Sequence, residues 1–197
     1  PARLDVMGGI ADYSGSLVLE GTLARAAYAA VQPRRDGKLR AMSIGVTEAR
    51  PVESSLNDLL TRGRPKTYPQ VRKLFGGAAH WAGYVLGTLH VLQCEGVVTQ
   101  WPYGLNLLLL SDIPIGAGVA SSAAIEVAAM VAVTAAYGVA LEPLRLAQLC
   151  QVVENRIVGA PCGVMDQVTS TLGQANRLLA LCCQPCEVEG LHRVPEG

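Results

Sequence analysis

The sequence carries little charge of either sign, few histidines and no long apolar run. Its 197 residues include 16 basic and 16 acidic side chains, so the formal net charge is zero. Binding to nucleic acid or to an anionic membrane through net charge needs a basic excess, which this composition excludes. The longest apolar runs are interrupted well before the ~20 residues that span a bilayer. The first residues, PARLDVMGG, also lack the basic start and apolar stretch of a signal peptide.

The six cysteines show no regular disulfide framework, and the chain is too long and too apolar to need one. We interpret them as reduced thiols of a cytoplasmic protein. Cys183 and Cys186 have C-x-x-C spacing, but the sequence has no second such pair and only three histidines. A zinc site is therefore not expected, and the pair is interpreted as packing at a strand end.

Half of the residues are hydrophobic, which is enough for one domain with a sizeable core. Strand-like segments come first and helical periodicity comes later, a pattern that indicates an α+β architecture. Asp36 and Gly37 form a turn signal, so the strands on either side of them are expected to pair as a hairpin. Strands are predicted at 3–7, 17–31, 39–46, 105–110 and 177–183, helices at 54–60, 70–94 (interrupted at 76–77), 122–137, 143–158 and 164–172, and loops at 8–16, 61–69 and the C-terminal tail.

A glycine-rich segment, PIGAGVASSAA at 114–124, lies between a predicted strand and a predicted alanine-rich helix. A helix N-terminus offers free N–H groups and partial positive charge, and glycine lets the backbone approach a ligand, so the order suits an anion. The segment lacks the lysine of a Walker P-loop, and a triphosphate would therefore need backbone dipoles and a divalent ion. A tight turn with a serine cap explains the same composition, and composition alone leaves both readings open.

Three blocks together resemble the GHMP small-molecule kinases. PIGAGVASSAA is similar to their glycine-rich ATP motif, Pro-x-Gly-x-Gly-x-x-Ser-Ser-Ala. RLDVMGGIADYSGSLVL at 3–19 resembles the N-terminal sugar-recognition motif of galactokinases, and APCGVMDQ at 160–167 resembles the segment with their catalytic aspartate. The first and third blocks, in chain order, are most similar to the L-arabinokinase branch of this galactokinase-like group. The implied fold is the GHMP kinase N-terminal domain, a mixed sheet packed against helices, similar to the second domain of a ribosomal protein.

The resemblance implies roles for individual residues. Asp166 stands at the catalytic aspartate, which takes or orients the proton of the attacking sugar hydroxyl, and Arg3 stands at the arginine beside it. Ser122 and Glu154 match the ligands of Mg²⁺, the implied cofactor, with ATP as co-substrate. The residues implied to bind the sugar are Asp12, Gly9, Ile10, Cys162 and Gly163. Those implied to bind the nucleotide are Gly116, Ala117, Gly118, Val119, Ala120, Ser121, Ser122, Trp81 and Tyr84.

Each of these residues also has an ordinary structural explanation. Asp166 is placed to stabilise a helix dipole from the first turn, and Asp12 is a common turn former. Arg3 and Glu154 are compatible with exposed surface charges. Trp81 and Tyr84, at i and i+3, suit a partly buried helix face. Cys162 is interpreted as a small buried hydrophobe and not as a nucleophile.

The sequence departs from the galactokinase pattern at one point. Gly-Glu-His precedes the threonine and aspartate of that motif, whereas Gly9 and Ile10 replace the glutamate and histidine here. Two polar contacts to the sugar are lost, which argues against ordinary galactose and favours a pentose such as L-arabinose.

Residues 1–197 are expected to form the N-terminal ATP- and sugar-binding domain, without the C-terminal domain that covers the active site in the family. The implied activity is an ATP-dependent sugar 1-kinase, which phosphorylates the anomeric hydroxyl of L-arabinose or a galactose-like monosaccharide. The alternative is an inactive or truncated kinase-like domain that binds nucleotide or sugar without turnover. An exposed apolar face is expected, to be covered by the missing domain or by a second copy.

Overall fold

A computed structural model describes residues 1–44 and 50–194, and this part contains two four-stranded sheets and six α-helices. In none of these helices are length and apolar character together sufficient to cross a bilayer. The elements are β1 (Arg3–Met7), α1 (Ala11–Ser14), β2 (Leu17–Thr22), β3 (Ala27–Pro33), β4 (Lys38–Ile44), β5 (Val52–Ser55), β6 (Leu60–Thr61), β7 (Arg64–Pro65), α2 (Tyr68–Leu74), α3 (His80–Cys94), β8 (Leu105–Ser111), α4 (Ser121–Tyr137), α5 (Pro143–Val152), α6 (Met165–Leu172), β9 (Arg177–Cys182) and β10 (Glu187–Arg193).

The first sheet is antiparallel, with strand order β1-β2-β9-β10, and the second is mixed, with order β3-β8-β4-β5. In the mixed sheet β8 runs parallel to β4 and antiparallel to β3. The two-residue strands β6 and β7 form a separate small ladder. The structure thus confirms the α+β class and a mixed sheet packed with helices, and adds a second sheet to it.

The main core lies between the mixed sheet and helices α3, α4 and α5. Leu105 and Leu107 of β8 pack there with Leu89, Met130 and Leu149, and all five side chains are at most 1% exposed. Each buried side chain of this size contributes about 1.5–3 kcal/mol relative to exposure. A smaller core joins the antiparallel sheet to α5 and α6. The two cores together fix α4 and α6, the helices that begin within the sequence blocks at 114–124 and 160–167.

The hairpin predicted across Asp36 and Gly37 is wrong. β3 and β4 do follow each other along the chain, but β8 lies between them and pairs with both. The chain does turn between the two strands, but each of them pairs with the leucine-rich β8 and not with the other. Residues 45 and 46, the end of the predicted second strand, lie outside the described residues.

Local chemistry places most helix ends as predicted. The helix predicted at 70–94 is two helices, α2 and α3, separated by a 3-10 turn at Gly77–Ala79. Thr67 and Gln70 form a capping box at the start of α2. Gly138, with φ 67°, ends α4. Pro143 begins α5, which continues as a π-helical segment, Val153–Val158, up to Gly159.

Several shorter predictions need correction. The predicted loop at 8–16 contains the short helix α1, and the predicted loop at 61–69 contains the β6–β7 ladder and the start of α2. The predicted helix at 54–60 is the end of β5 followed by a 3-10 turn at Leu56–Leu59. β8 is buried on one face only, because Leu108 and Leu110 point outward. The C-terminal tail, HRVPEG at 192–197, is described up to residue 194, and its first two residues are the end of β10.

Candidate active site

The glycine-rich loop, 114–120, connects the end of β8 to the start of α4. Gly116 and Gly118 have φ near +70°, a conformation that glycine adopts without strain, and Ala120 shares the left-handed region with φ 55°. α4 then begins at Ser121, and the first N–H groups of a helix have no acceptor within it. The loop therefore presents backbone donors and a helix dipole at one place, the arrangement suited to a phosphate group.

Arg3 joins this loop to Asp166, although 163 residues separate the two charged side chains in sequence. Its Nε donates to Asp166 Oδ1 at 2.7 Å, and its Nη1 donates to the Gly118 carbonyl at 2.8 Å. The Arg3 backbone N–H also donates to the Val119 carbonyl at 3.2 Å. Burial raises the pKa of Asp166, and the guanidinium opposes that rise. Arg3, in the block at 3–19, therefore connects the block at 114–124 to the block at 160–167.

Asp12 holds the start of α6. Its Oδ1 accepts the backbone N–H groups of Val164 at 2.9 Å and Met165 at 3.2 Å, and the side chain is largely buried. A Cβ on Gly163 would overlap this carboxylate, so only glycine leaves room for the contact. Because Asp166 lies in the first turn of α6, Asp12 also fixes the position of Asp166 relative to Arg3.

A buried acidic cluster connects α4, the π-helical segment and α6. Gln167 Nε2 donates to Glu154 Oε2 at 2.6 Å and to Glu126 Oε2 at 3.4 Å. Burial raises the pKa of Glu154, and a hydrogen bond with the Ser122 hydroxyl opposes the rise. Burial and the neighbouring Glu154 raise the pKa of Glu126 well above its usual value. Ser122 and Glu154 are thus adjacent, as the resemblance implies, with two further buried polar side chains behind them.

Trp81 and Tyr84 line a mainly apolar cavity of about 220 Å³ together with Ser121, Ser122 and Ile115. The cavity opens beside the glycine-rich loop, since both serines begin α4. The Trp81 indole N–H is buried and has no acceptor among the described residues. The apolar lining suits a flat heteroaromatic ring.

The remaining predicted sugar-binding residues lie around α1. Gly9, with φ +53°, donates its N–H to Asp5 Oδ2 at 2.7 Å, and Ile10 is 83% exposed. Cys162 lines a polar cavity of about 410 Å³ together with Asp12 and Gly163, and Asp166 is not part of that wall. Cys162 is half-buried with Sγ 3.5 Å from Glu154 Oε2, and burial raises the pKa of its thiol, so it is a poor nucleophile.

Sequence reasoning missed four buried or partly buried polar residues at this site: Asp5, Glu20, Glu126 and Gln167. Two of them carried a signal. Glu126 is the one charge in the apolar helix α4, and Gln167 directly follows Asp166 within the third block. Among the described residues, no three His, Cys, Asp or Glu side chains form a group able to hold a metal ion by themselves.

Residues 83–174 match a family sequence profile described as the GHMP kinases N terminal domain. The chain is 45% identical over 221 aligned residues to the L-arabinokinase of Arabidopsis thaliana, covering 99% of this chain and 21% of that protein. It is 36% identical to a galactokinase of Streptomyces coelicolor, covering 92% of this chain and 42% of that protein. The chain therefore spans less than half the length of these relatives.

Solved structures show the same fold. The crystal structure of Lactococcus lactis galactokinase complexed with galactose superposes with a TM-score of 0.83 at 24% identity, covering 99% of this chain and 46% of that chain. The Methanococcus jannaschii mevalonate kinase superposes with a TM-score of 0.72 at 17% identity, covering all of this chain and 54% of that one. The profile match, the two relatives and the shared fold agree, and on these grounds the chain is similar to the GHMP kinases and has the fold of their N-terminal domain.

Proposed function

We propose that the protein carrying this chain is an ATP-dependent sugar kinase that transfers the γ-phosphate to the anomeric hydroxyl of a monosaccharide. The observation that carries the proposal is the Arg3 side chain, which bonds to Asp166 at 2.7 Å and to Gly118 at 2.8 Å. The Arg3 guanidinium thereby contacts both the Asp166 carboxylate, which would accept the proton of the sugar hydroxyl, and the loop suited to phosphate. Phosphoryl transfer requires mainly such positioning and charge stabilisation.

In this proposal the nucleotide lies along the glycine-rich loop. The phosphates accept the free N–H groups of the loop and of the first turn of α4, and the helix dipole favours their charge. The adenine enters the cavity lined by Trp81 and Tyr84, beside the two serines that begin α4. The apolar lining explains how the site could hold a base without any charged residue.

Mg²⁺ fits the side chains beside the phosphates. It prefers oxygen ligands, typically one or two carboxylates completed by phosphates and water, and the adjacent Ser122 hydroxyl and Glu154 carboxylate supply such oxygens. When bound, the ion would neutralise phosphate charge and orient the γ-phosphate. Gln167 holds Glu154 in place from the buried side through its 2.6 Å hydrogen bond.

Asp166 acts as the general base. It takes the proton from the sugar hydroxyl as that oxygen attacks the γ-phosphorus, the bond to the β-phosphate oxygen breaks, and ADP leaves. Arg3 keeps Asp166 ionised against the effect of burial, and its charge also faces the transferring group. Asp12 and Gly163 set the sugar against Asp166 by fixing the start of α6.

L-Arabinose is the first-choice substrate, with galactose second. Gly9 and Ile10 offer no side-chain hydrogen bonds where galactokinases have glutamate and histidine, so a hexose loses two polar contacts. The 45% identity to an L-arabinokinase favours the same choice.

The test uses the intact protein with ATP, Mg²⁺ and a panel of L-arabinose, D-galactose and D-glucuronate. The product is identified by phosphorus NMR through the coupling of the phosphate to the anomeric proton. Asp166→Asn should lower kcat by about 10²–10⁴-fold, the usual contribution of a general base. Asp36→Asn is the matched control, because Asp36 also accepts an arginine Nε at 2.7 Å but lies at the opposite end of β8 from the glycine-rich loop.

Full turnover in the Asp166→Asn variant would eliminate the proposed base. Nucleotide binding without turnover of any sugar in the intact wild-type protein would identify a non-catalytic binding domain instead.

A further inference from the structure

Two carboxyl groups face each other behind Arg3, and the proposed chemistry uses neither. Asp5 of β1 and Glu20 of β2 are direct cross-strand partners in the antiparallel sheet. Asp5 Oδ1 and Glu20 Oε1 converge on Gly8, lying 2.7 Å and 2.9 Å from the place where a Cβ on that residue would be. Asp5 Oδ2 accepts the Gly9 N–H at 2.7 Å, whereas the Glu20 side chain is fully buried.

Glu20 lacks the partners that a buried charge needs. Neither of its carboxyl oxygens accepts a hydrogen bond from any residue that the structure describes. The nearby cation is Arg3, whose Nε is 3.3 Å from Glu20 Oε2 but donates to Asp166 at 2.7 Å. An Nε carries a single hydrogen, and in this structure that hydrogen is directed to Asp166, so Glu20 receives no hydrogen bond from it.

The charges around Glu20 come from two elements. Asp5 and Arg3 lie on β1, and Asp166 lies on α6, while the neighbouring strand β9 offers the apolar Leu179 as its paired residue. Burial and the adjacent Asp5 raise the pKa of Glu20 to about 8, and Arg3 opposes the rise. Two adjacent carboxyl groups in a buried place do not both ionise readily.

We propose that Asp5 and Glu20 hold one proton between them, and that this shared proton positions Arg3 on Asp166. With the proton present, the Glu20 hydroxyl donates to the Asp5 carboxylate, and the Arg3 Nε–H has Asp166 as its one ionised acceptor. When the proton is lost, Glu20 becomes a second carboxylate 3.3 Å from the same N–H and draws Arg3 away from Asp166. Glu20 is thus a positioning residue, a role that rests on the proposed function of Asp166.

The experiment follows the intact protein through pH 6–10 by NMR, with ¹³C-labelled glutamate carboxyl groups and ¹⁵N-labelled arginine. Glu20→Gln assigns the Glu20 signal and supplies a permanently neutral side chain whose amide donates to Asp5. We expect the Glu20 carboxyl to titrate near pH 8, and the Arg3 Nε–H signal to move with the same midpoint in the wild type and to stay still in Glu20→Gln. Glu53→Gln is the control, since Glu53 pairs with Arg40 Nε at 3.4 Å on an exposed strand.

Activity gives an independent reading. The kcat of the wild type should fall about tenfold from pH 7 to pH 9, as a single group of pKa near 8 loses its proton, and Glu20→Gln should lose less than about twofold. Glu20→Ala, which removes the competing carboxylate altogether, should likewise flatten the pH dependence of kcat between pH 7 and pH 9.

A Glu20 carboxyl that titrates near its ordinary value, or an Arg3 signal that moves identically in Glu20→Gln, overturns the proposal whatever the kinase activity. A wild-type protein that shows both NMR midpoints near pH 8 but phosphorylates no sugar supports the shared proton and refutes the proposed function instead.

Discussion

Gly163→Ala is the change that most directly tests how the structure fixes Asp166. The backbone of Gly163 is outside the left-handed region, so alanine costs nothing in backbone strain there. Space is the whole obstacle, because the added Cβ would overlap the Asp12 carboxylate. Either Asp12 or the start of α6 must move, and each movement breaks the hydrogen bonds from Val164 and Met165 to Asp12 Oδ1.

The magnitude follows from these two contributions. Overpacking a filled site costs about 1–3 kcal/mol. A hydrogen bond to a charged acceptor contributes about 1.5–3 kcal/mol, although two bonds to one oxygen are not additive. We expect Gly163→Ala to lower the free energy of opening of α6 by roughly 2–5 kcal/mol. A displacement of Asp166 by about 1 Å should also reduce kcat by on the order of 10²-fold.

The assay is amide hydrogen exchange of the peptide that covers 160–172 in the intact protein, which reports the opening of α6 directly. Gly37→Ala is the matched control, because a Cβ on Gly37 would meet no atom within 4 Å and its φ is not positive. The double variant Asp12→Ala/Gly163→Ala completes a thermodynamic cycle. With the carboxylate gone, the second methyl group should cost less than about 1 kcal/mol.

Additive effects in that cycle would refute the reasoning, since they would mean that Gly163 and Asp12 do not compete for the same space. Wild-type exchange rates in Gly163→Ala would refute it as well.

Two further predictions concern stability. Ala120→Gly should raise the free energy of unfolding by about 1 kcal/mol in denaturant titrations, because it relieves a left-handed alanine with φ 55° at the start of α4; a loss of stability would contradict this. Burial lowers the pKa of His90 to about 4, below the unfolded value of 6.5, so its contribution to stability is complete above pH 6.5 and is lost as the pH falls through 4. Between pH 6.5 and pH 4 the free energy of unfolding of the wild type should therefore fall by up to about 3 kcal/mol more than that of His90→Gln. An equal dependence on pH in the two proteins would argue against a neutral buried imidazole.

The local features of this fold could be predicted from the sequence, because their causes are local. Glycines ended α4 and the π-helical segment as expected, and Pro143 began α5. The glycine-rich loop was placed correctly between β8 and α4 for the same reason. Strand pairing was not predictable in this way, since the turn at Asp36–Gly37 says where two strands are joined but not whether a third enters between them.

In the candidate site as well, features carried by local motifs could be predicted from the sequence, and contacts that depend on tertiary packing could not. Asp166, Arg3 and Ser122 were predicted as site residues from short motifs, in which the residue types and their spacing are visible in the sequence. The proximity of Arg3 to the glycine-rich loop depends on how β1 packs against residues 118 and 119, and spacing carries no information on that. Glu20 was missed because a single acid in the strand β2 is typical of an exposed position, and here its side chain faces α6.

The insertion of β8 between β3 and β4 has a consequence for synthesis. β3 and β4 leave the ribosome long before β8 exists, and β2 must likewise wait for β9. The central pairings of both sheets are thus among the most distant along the chain, a topology that slows folding and leaves strand edges exposed in the nascent polypeptide. We expect the early strands to depend on chaperones until residues 177–182 emerge and close the antiparallel sheet.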